Sequence, residues 1–192
     1  MSDIQQKWDA IYHKRSGTTP RPATMLSTYA HLLPTQGLAL DLACGLGGNS
    51  FFLAMHGLEV DAWDISTVAI EHINNNCADA TGVQASVVDI SHAEFPSNKY
   101  DVITVSRFLD RLIIPQLIGA LKPSGLLFYQ TFTREKATAE GPSNPKFLLK
   151  TSELLSLFSQ LTPVIYHEEA SIGDTTQGVR NEAILIAHKA PA

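Results

Sequence analysis

LALDLACGLGGNS, residues 38–50, joins an apolar run to an acid, a glycine-rich turn and the first residues of a helix. A short apolar run bounded by glycine reads as a buried strand. A strand that turns through glycines into a helix is a corner at which open α/β sheets hold small cofactors. Gly45 and Gly47 leave no side chain between ligand and main chain, and glycine takes the positive φ that a tight turn can require. Asp41 stands where the strand runs out and is expected to point at whatever is bound.

On either side of this corner, strand and helix patterns alternate. Leu38–Leu42 reads as the first strand, Gly48–His56 as the helix after it with Gly57 as its cap, and Leu58–Trp63 as the second strand. Ser66 is expected to cap a helix from Thr67 to about Ala80, with a third strand at about Gln84–Val88. Tyr100–Val105 is apolar almost throughout, as in a strand covered on both faces. A helix from about Leu109 to Leu121, a turn at residues 122–125 and a strand at Leu126–Thr131 follow. Pro115 suits a first-turn position if that helix begins near Ile114. Thr151 is expected to cap a helix to about Gln160, and Val164–Glu168 and Ala183–His188 read as strands with no helix between them. Upstream, residues 3–14 form a helical pattern with Trp8 and Tyr12 on one face. Gly17, Pro20 and Pro22 break it before a helix at Ala23–Leu33. The alternation predicts one α/β domain over residues 1–192: a parallel sheet with helices on both faces and at least one antiparallel strand at the end.

The glycine turn admits two ligands, a dinucleotide or S-adenosylmethionine. A dinucleotide turn wants Gly or Ala at its third position, where this chain has Ser50. A carboxylate beside the turn repels a pyrophosphate and attracts a sulfonium cation with an α-amino group. Asp64 ends the second strand, where a carboxylate can accept from both hydroxyls of a ribose, and Asp89 ends the third. Asp61, in mid-strand, is read as a solvated or edge position.

The Asp41-Leu42-Ala43-Cys44-Gly45-Leu46-Gly47-Gly48-Asn49 arrangement resembles motif I of class I S-adenosylmethionine-dependent methyltransferases, and its ending is similar to the small tellurite-resistance (TehB-like) type. The resemblance runs from Trp8 to His188 and implies a Rossmann-like seven-stranded sheet with a C-terminal antiparallel hairpin. It also implies S-adenosylmethionine as cofactor, held by Asp41, Ala43, Cys44, Gly45, Gly47 and Asn49 of the corner. Asp64 would meet the ribose, Asp89 the adenine amine with Ile65 and Ile90 bracketing the ring, and Ser106 the methionyl end. Residues 1–22 resemble a lid, with Tyr12 over the sulfonium and Arg15 on the methionyl carboxylate. Arg107 and Phe108, with Arg111 four residues beyond Arg107 and so able to share a face, and Arg134 after the fifth strand, border the acceptor in this comparison. Many tellurite-type relatives carry Arg where this chain has Gly48, so their substrate does not transfer with the motif.

Composition bounds the partners. A chain of 192 residues with 44% hydrophobic content and a net charge of −5 is globular, and its acidity disfavours a nucleic-acid surface. No segment is long and apolar enough to span a membrane, and the polar start lacks a signal-peptide pattern, so a cytoplasmic setting is expected. Cys44 and Cys77 make no metal or redox spacing, and Cys44 reads as a small filler of a tight corner. None of the seven histidines has metal-ligand spacing. The expected acceptor is a small molecule, such as a chalcogen oxyanion or a thiol; a protein or tRNA methyltransferase and a non-catalytic cofactor-binding protein are the alternatives.

Overall fold

β1 (Gly37–Leu42) lies inside a seven-stranded sheet of order β3-β2-β1-β4-β5-β7-β6. The computed structural model describes residues 2–15, 17–76 and 82–191. β2 (Leu58–Asp64), β3 (Val83–Val87), β4 (Tyr100–Ser106) and β5 (Leu121–Phe132) run parallel to β1. β7 (Glu182–His188) is antiparallel to β5 and to the edge strand β6 (Thr162–His167). The last strand therefore inserts inside the sheet, which explains why six of the seven β7 residues are buried.

Side chains alternate across β1, and the alternation sorts the helices into two layers. Leu40 and Leu42 pack with Leu117 of α5 (Ile114–Ala120) and Leu154 of α6 (Glu153–Leu157). Ala39 packs on the other side with Met25 and Leu26 of α2 (Thr24–Thr28) and Leu53 of α3 (Gly48–Met55). α4 (Thr67–Asn76) adds Ile70 and Ile73 against Ala62 and Cys44. The expected end of α4, with Cys77, lies outside the described residues. α1 (Asp3–His13) buries none of its residues fully, yet Gln5 Nε2 donates to Thr67 Oγ1 at 3.0 Å and the Trp8 and Tyr12 rings stack at 5.7 Å.

Several local expectations change. The helix expected over 23–33 stops at Thr28, where Tyr29 leaves helical geometry (φ −112°), and a 3-10 turn at Ala30–Leu32 follows. β5 begins at Leu121 rather than after the Lys122–Gly125 turn, because Leu121 already pairs with Tyr100 and the turn residues are absorbed as a register shift. Ser152, not Thr151, precedes α6, and Glu153 Oε2 accepts from the Lys150 amide at 2.7 Å. Asp61 is neither solvated nor on an edge. β2 is an internal strand, and the Asp61 carboxylate accepts from Tyr100 Oη at 2.9 Å and Lys99 Nζ at 2.7 Å. Pro115 does sit in the first turn of α5, and Gly57 follows α3 with φ 91°.

Candidate active site

The carboxyl ends of β1, β4 and β5 and the segment 18–24 enclose a cavity of about 420 Å3. Cys44, Gly48 and Asn49 of the glycine corner line it, with Ser106 and Arg107 from the end of β4 and Gln130 from β5. Tyr12, Arg15 and Arg21 close it from the N-terminal side. A crevice beyond the carboxyl ends of the strands is where an open α/β sheet places its ligand.

Local backbone chemistry shapes the corner. Gly47 has φ 85°, and a Cβ on it would lie 2.8 Å from Cγ1 of Ile73. Gly48 has ordinary φ but an equally strict requirement: a Cβ there would run into the Arg21 carbonyl, because the segment 18–24 crosses directly over the start of α3. Any side chain at position 48 would meet this path. Asn49 fastens the crossing, since its Oδ1 accepts from the Ala23 amide at 2.8 Å while its Nδ2 donates to Ser106 Oγ at 3.0 Å and Asp41 Oδ1 at 3.4 Å.

Asp41 departs from its expected orientation. It is fully buried, on the same face of β1 as Ala39, and accepts from Ser50 Oγ at 2.6 Å in the first turn of α3. Burial pushes its carboxyl up to about 7, against the hydrogen bonds from Ser50 and Asn49. Asn49, not Asp41, reaches the cavity. Asp64 accepts from the amides of Gly45 and Ser66, each at 2.9 Å, and burial raises its pKa against those two bonds. α1 covers this end of β2: Asp9 accepts from Ser66 Oγ at 2.5 Å, and Tyr12 Oη stands 3.0 Å from where a Gly45 Cβ would be. Burial, then the charges of Asp64 and Cys44, raises the Tyr12 phenol well above its usual range. The Cys44 thiol, raised by burial and by Asp41 and Asp64, stays protonated, in keeping with a filler role. Ala43 bends the corner with φ 55°.

Ile65, half-buried, follows Asp64 at the end of β2. Asp89 caps the 3-10 turn Ile90–His92, accepting from the Ser91 amide at 3.2 Å and pairing with His92 at 3.0 Å. Ile90 differs from its expected place beside the adenine. It is turned into the core with Leu40, Leu109 and Ile113. Neither Asp64, Ile65, Asp89 nor Ile90 lines the cavity.

Of the four residues expected on the acceptor side, the cavity receives one. Arg107 has φ 55° and ends β4 outside any helix, so it shares no helical face with Arg111. Arg111 is spent on structure, with Nε and Nη2 on the Glu153 carboxylate at 2.7 and 2.9 Å and further bonds to the carbonyls of Lys146 and Leu148. Phe108 packs against the core and its carbonyl accepts from Tyr129 Oη at 3.0 Å. Arg134 is exposed on the following loop, its guanidinium bonded to none of the described residues, and does not line the cavity. Sequence reasoning misses Arg21, Gln130 and Glu182. Two signals are present: an arginine held between Pro20 and Pro22, and an amide inside the apolar strand LLFYQTF.

A glycine corner on β1, acids closing β1 and β2 and following β3, and a sheet of order β3-β2-β1-β4-β5-β7-β6 are the features of the class I S-adenosylmethionine-dependent methyltransferase fold. The family model for tellurite resistance protein TehB matches residues 4–182, and the chain belongs to that family. It is 28% identical over 120 residues to the probable S-adenosyl-L-methionine-dependent methyltransferase TehB of Haemophilus influenzae, covering 60% of this chain and 41% of that one. It is 26% identical over 175 residues to hemagglutinin 1 of Eikenella corrodens, covering 86% of this chain and 56% of the relative. The chain thus spans about half the length of the curated relatives it matches. The crystal structure of TehB from Haemophilus influenzae shares the fold, with a TM-score of 0.70 at 21% identity over 95% of this chain and 67% of that one.

The residues present fit this cofactor. Gly45 and Gly47 turn the corner at φ 54° and 85°, Asp64 holds the Gly45 amide behind it, and Arg15 brings to the cavity a cation with no ion-pair partner among the described residues. No helix among the described residues is long and apolar enough to cross a membrane.

Proposed function

We propose that this chain methylates a small anionic acceptor, such as a chalcogen oxyanion or a thiolate, held in the cavity at the ends of β4 and β5. One observation carries the reading: among the described residues, Arg15, Arg21 and Arg107 line the cavity and no carboxylate does, in a chain whose net charge is −5. Three guanidinium groups concentrated in one recess of an acidic protein favour an anion there. The volume, about 420 Å3, falls in the range of small-molecule sites.

In this reading Arg15 takes the methionyl carboxylate, Asp64 the ribose and Asp89 the adenine, with residues 1–22 acting as the lid. Bound S-adenosylmethionine supplies an activated methyl group on a sulfonium whose departure as a neutral thioether needs no acid. Arg21 and Arg107 are left for the acceptor. An oxyanion or thiolate brings its own lone pair, so the protein need not supply a base, and its work is to orient the acceptor and exclude water. The guanidinium groups also favour the anionic form of a thiol.

The test is S-adenosylhomocysteine production from S-adenosylmethionine with selenite, tellurite or a small thiol present. Acceptor-dependent product is expected from at least one of them. S-adenosylhomocysteine binding without acceptor-dependent turnover of any of these would overturn the small-anion reading.

A further inference from the structure

We propose that Glu182 is a positioning residue of the acceptor site, aiming Arg107 directly and the segment that carries Arg21 through Gln130. The inference rests on the small-anion reading above.

Glu182 opens β7 opposite Phe132 and is buried, though the cavity lies nearby. Its two carboxylate oxygens divide between two partners. One accepts from Arg107 Nε at 2.7 Å, and the other accepts a short hydrogen bond from Gln130 Nε2. The Arg107 guanidinium also lies over the Phe132 ring at 5.4 Å, so its inner edge and one face are both occupied. Among the described residues its outer edge meets only Glu140, at 3.8 Å on the surface. The guanidinium tip is thereby presented to the cavity in one orientation.

The second branch depends on the chemistry of an amide. A carboxylate only accepts, so Glu182 forces the NH2 of buried Gln130 toward itself and the amide oxygen away. That oxygen accepts from the Met25 amide at 3.0 Å, in the first turn of α2. Met25 directly follows the segment 18–24, which crosses Gly48 and places Arg21 on the cavity wall. One buried carboxylate on the last strand is thereby tied to Arg107 directly and, through Gln130, to the segment that carries Arg21. A surface ion pair with Arg107 would need neither burial nor the second oxygen.

Inverting the donors tests this. E182Q can keep Arg107 on its amide oxygen only by pointing its NH2 at Gln130, which must then flip and turn its own NH2 toward the Met25 amide. The double variant Q130E/E182Q restores all three bonds and reverses only the one between positions 130 and 182. The carboxylate introduced at position 130 then accepts from the Met25 amide and from the NH2 introduced at position 182, and the amide oxygen at position 182 accepts from Arg107. For E182Q we expect the KM for selenite to rise about tenfold with kcat nearly unchanged, and hydrogen exchange at the Met25 amide to quicken about tenfold. The double variant should return both toward wild type. Should E182Q not fold, Q130L serves: it frees Met25 while leaving the Arg107–Glu182 pair, and should quicken Met25 exchange. Unchanged exchange at Met25 in E182Q, or in Q130L if that is the variant used, overturns the assignment whatever the acceptor is. So does a double variant that folds but does not recover. Quickened and rescued exchange beside a wild-type enzyme inert to selenite and thiols overturns the proposed acceptor and supports the positioning role.

Discussion

The two walls of the site are built in opposite ways. At the ends of β1 and β2, the contacts that hold the two buried acids are short in sequence: Ser50 to Asp41, Gly45 to Asp64, Ser66 to Asp64. The determinants there are backbone amides, glycines and two buried acids, all within residues 41–66. At the ends of β4 and β5, Arg107 meets Glu182 and Gln130 meets Met25, pairs 75 and 105 residues apart. That wall is made of side chains brought together by the sheet order, above all by β7 lying beside β5. A cofactor common to many methyltransferases can be met by local main-chain geometry, whereas an acceptor particular to one enzyme is met by side chains that can change without disturbing the corner.

The comparison breaks most visibly at Gly47. Gly47→Val places a β-branched side chain at φ 85° and against Ile73, and should cost about 3 kcal/mol with loss of measurable S-adenosylhomocysteine binding; thermal unfolding and calorimetric titration check it. If cofactor affinity survived, the corner would not be the local cradle described.

Asp41 gives the next largest effect, and it depends on pH. An unfolded aspartate titrates near pH 4, whereas burial holds Asp41 at about 7 in the folded chain. The folded state therefore binds the extra proton. The resulting stability is complete below about pH 4 and is lost as pH rises to about 7. D41N, neutral throughout, should flatten that slope and be more stable than wild type at pH 8 by about 1–3 kcal/mol, measured by urea unfolding at several pH values. An unchanged slope would show that Asp41 is ionised and solvated.

Across the cavity, Arg107→Ala should raise the KM for selenite about tenfold while the affinity for S-adenosylhomocysteine stays within about twofold. It leaves buried Glu182 with Gln130 alone and should cost about 1–2 kcal/mol of stability. An equal loss in both ligands would merge the two walls into one. The smallest effect is expected at Arg111, whose ion pair with Glu153 is partly exposed. Arg111→Ala should cost about 1 kcal/mol in stability and leave both affinities as they were, by the same titrations. A change in acceptor KM there would return Arg111 to the site.

Much of the first wall was legible in the chain. The run LALDLACGLGGNS specified a buried strand, a glycine turn and a helix, and all three are in place, because strand burial, turn geometry and helix initiation depend on neighbouring residues. The alternation of elements and the family resemblance together implied seven strands with an antiparallel end, as found. The second wall was barely legible. Helical spacing pairs Arg107 with Arg111, but Arg107 lies in left-handed backbone at a strand end, where that spacing has no meaning. Arg111 resembles an acceptor residue in the sequence because its partner, Glu153, is 42 positions away.

The sequence by itself determined the fold class and the glycine corner, which follow from local conformational preference and hydrophobic period, and the family, which follows from the resemblance carried by residues 41–49. Only the tertiary structure decided which side chains face the cavity. It turned Asp41 and Ile90 inward, withdrew Arg111, brought Arg21 and Gln130 to the cavity, and placed Glu182 behind Arg107 and Gln130. The physical reason is that a side chain's direction at a strand end depends on which distant strand becomes its neighbour and which partner satisfies its hydrogen bonds. In this molecule that neighbour is β7, and the partner is the buried carboxylate of Glu182.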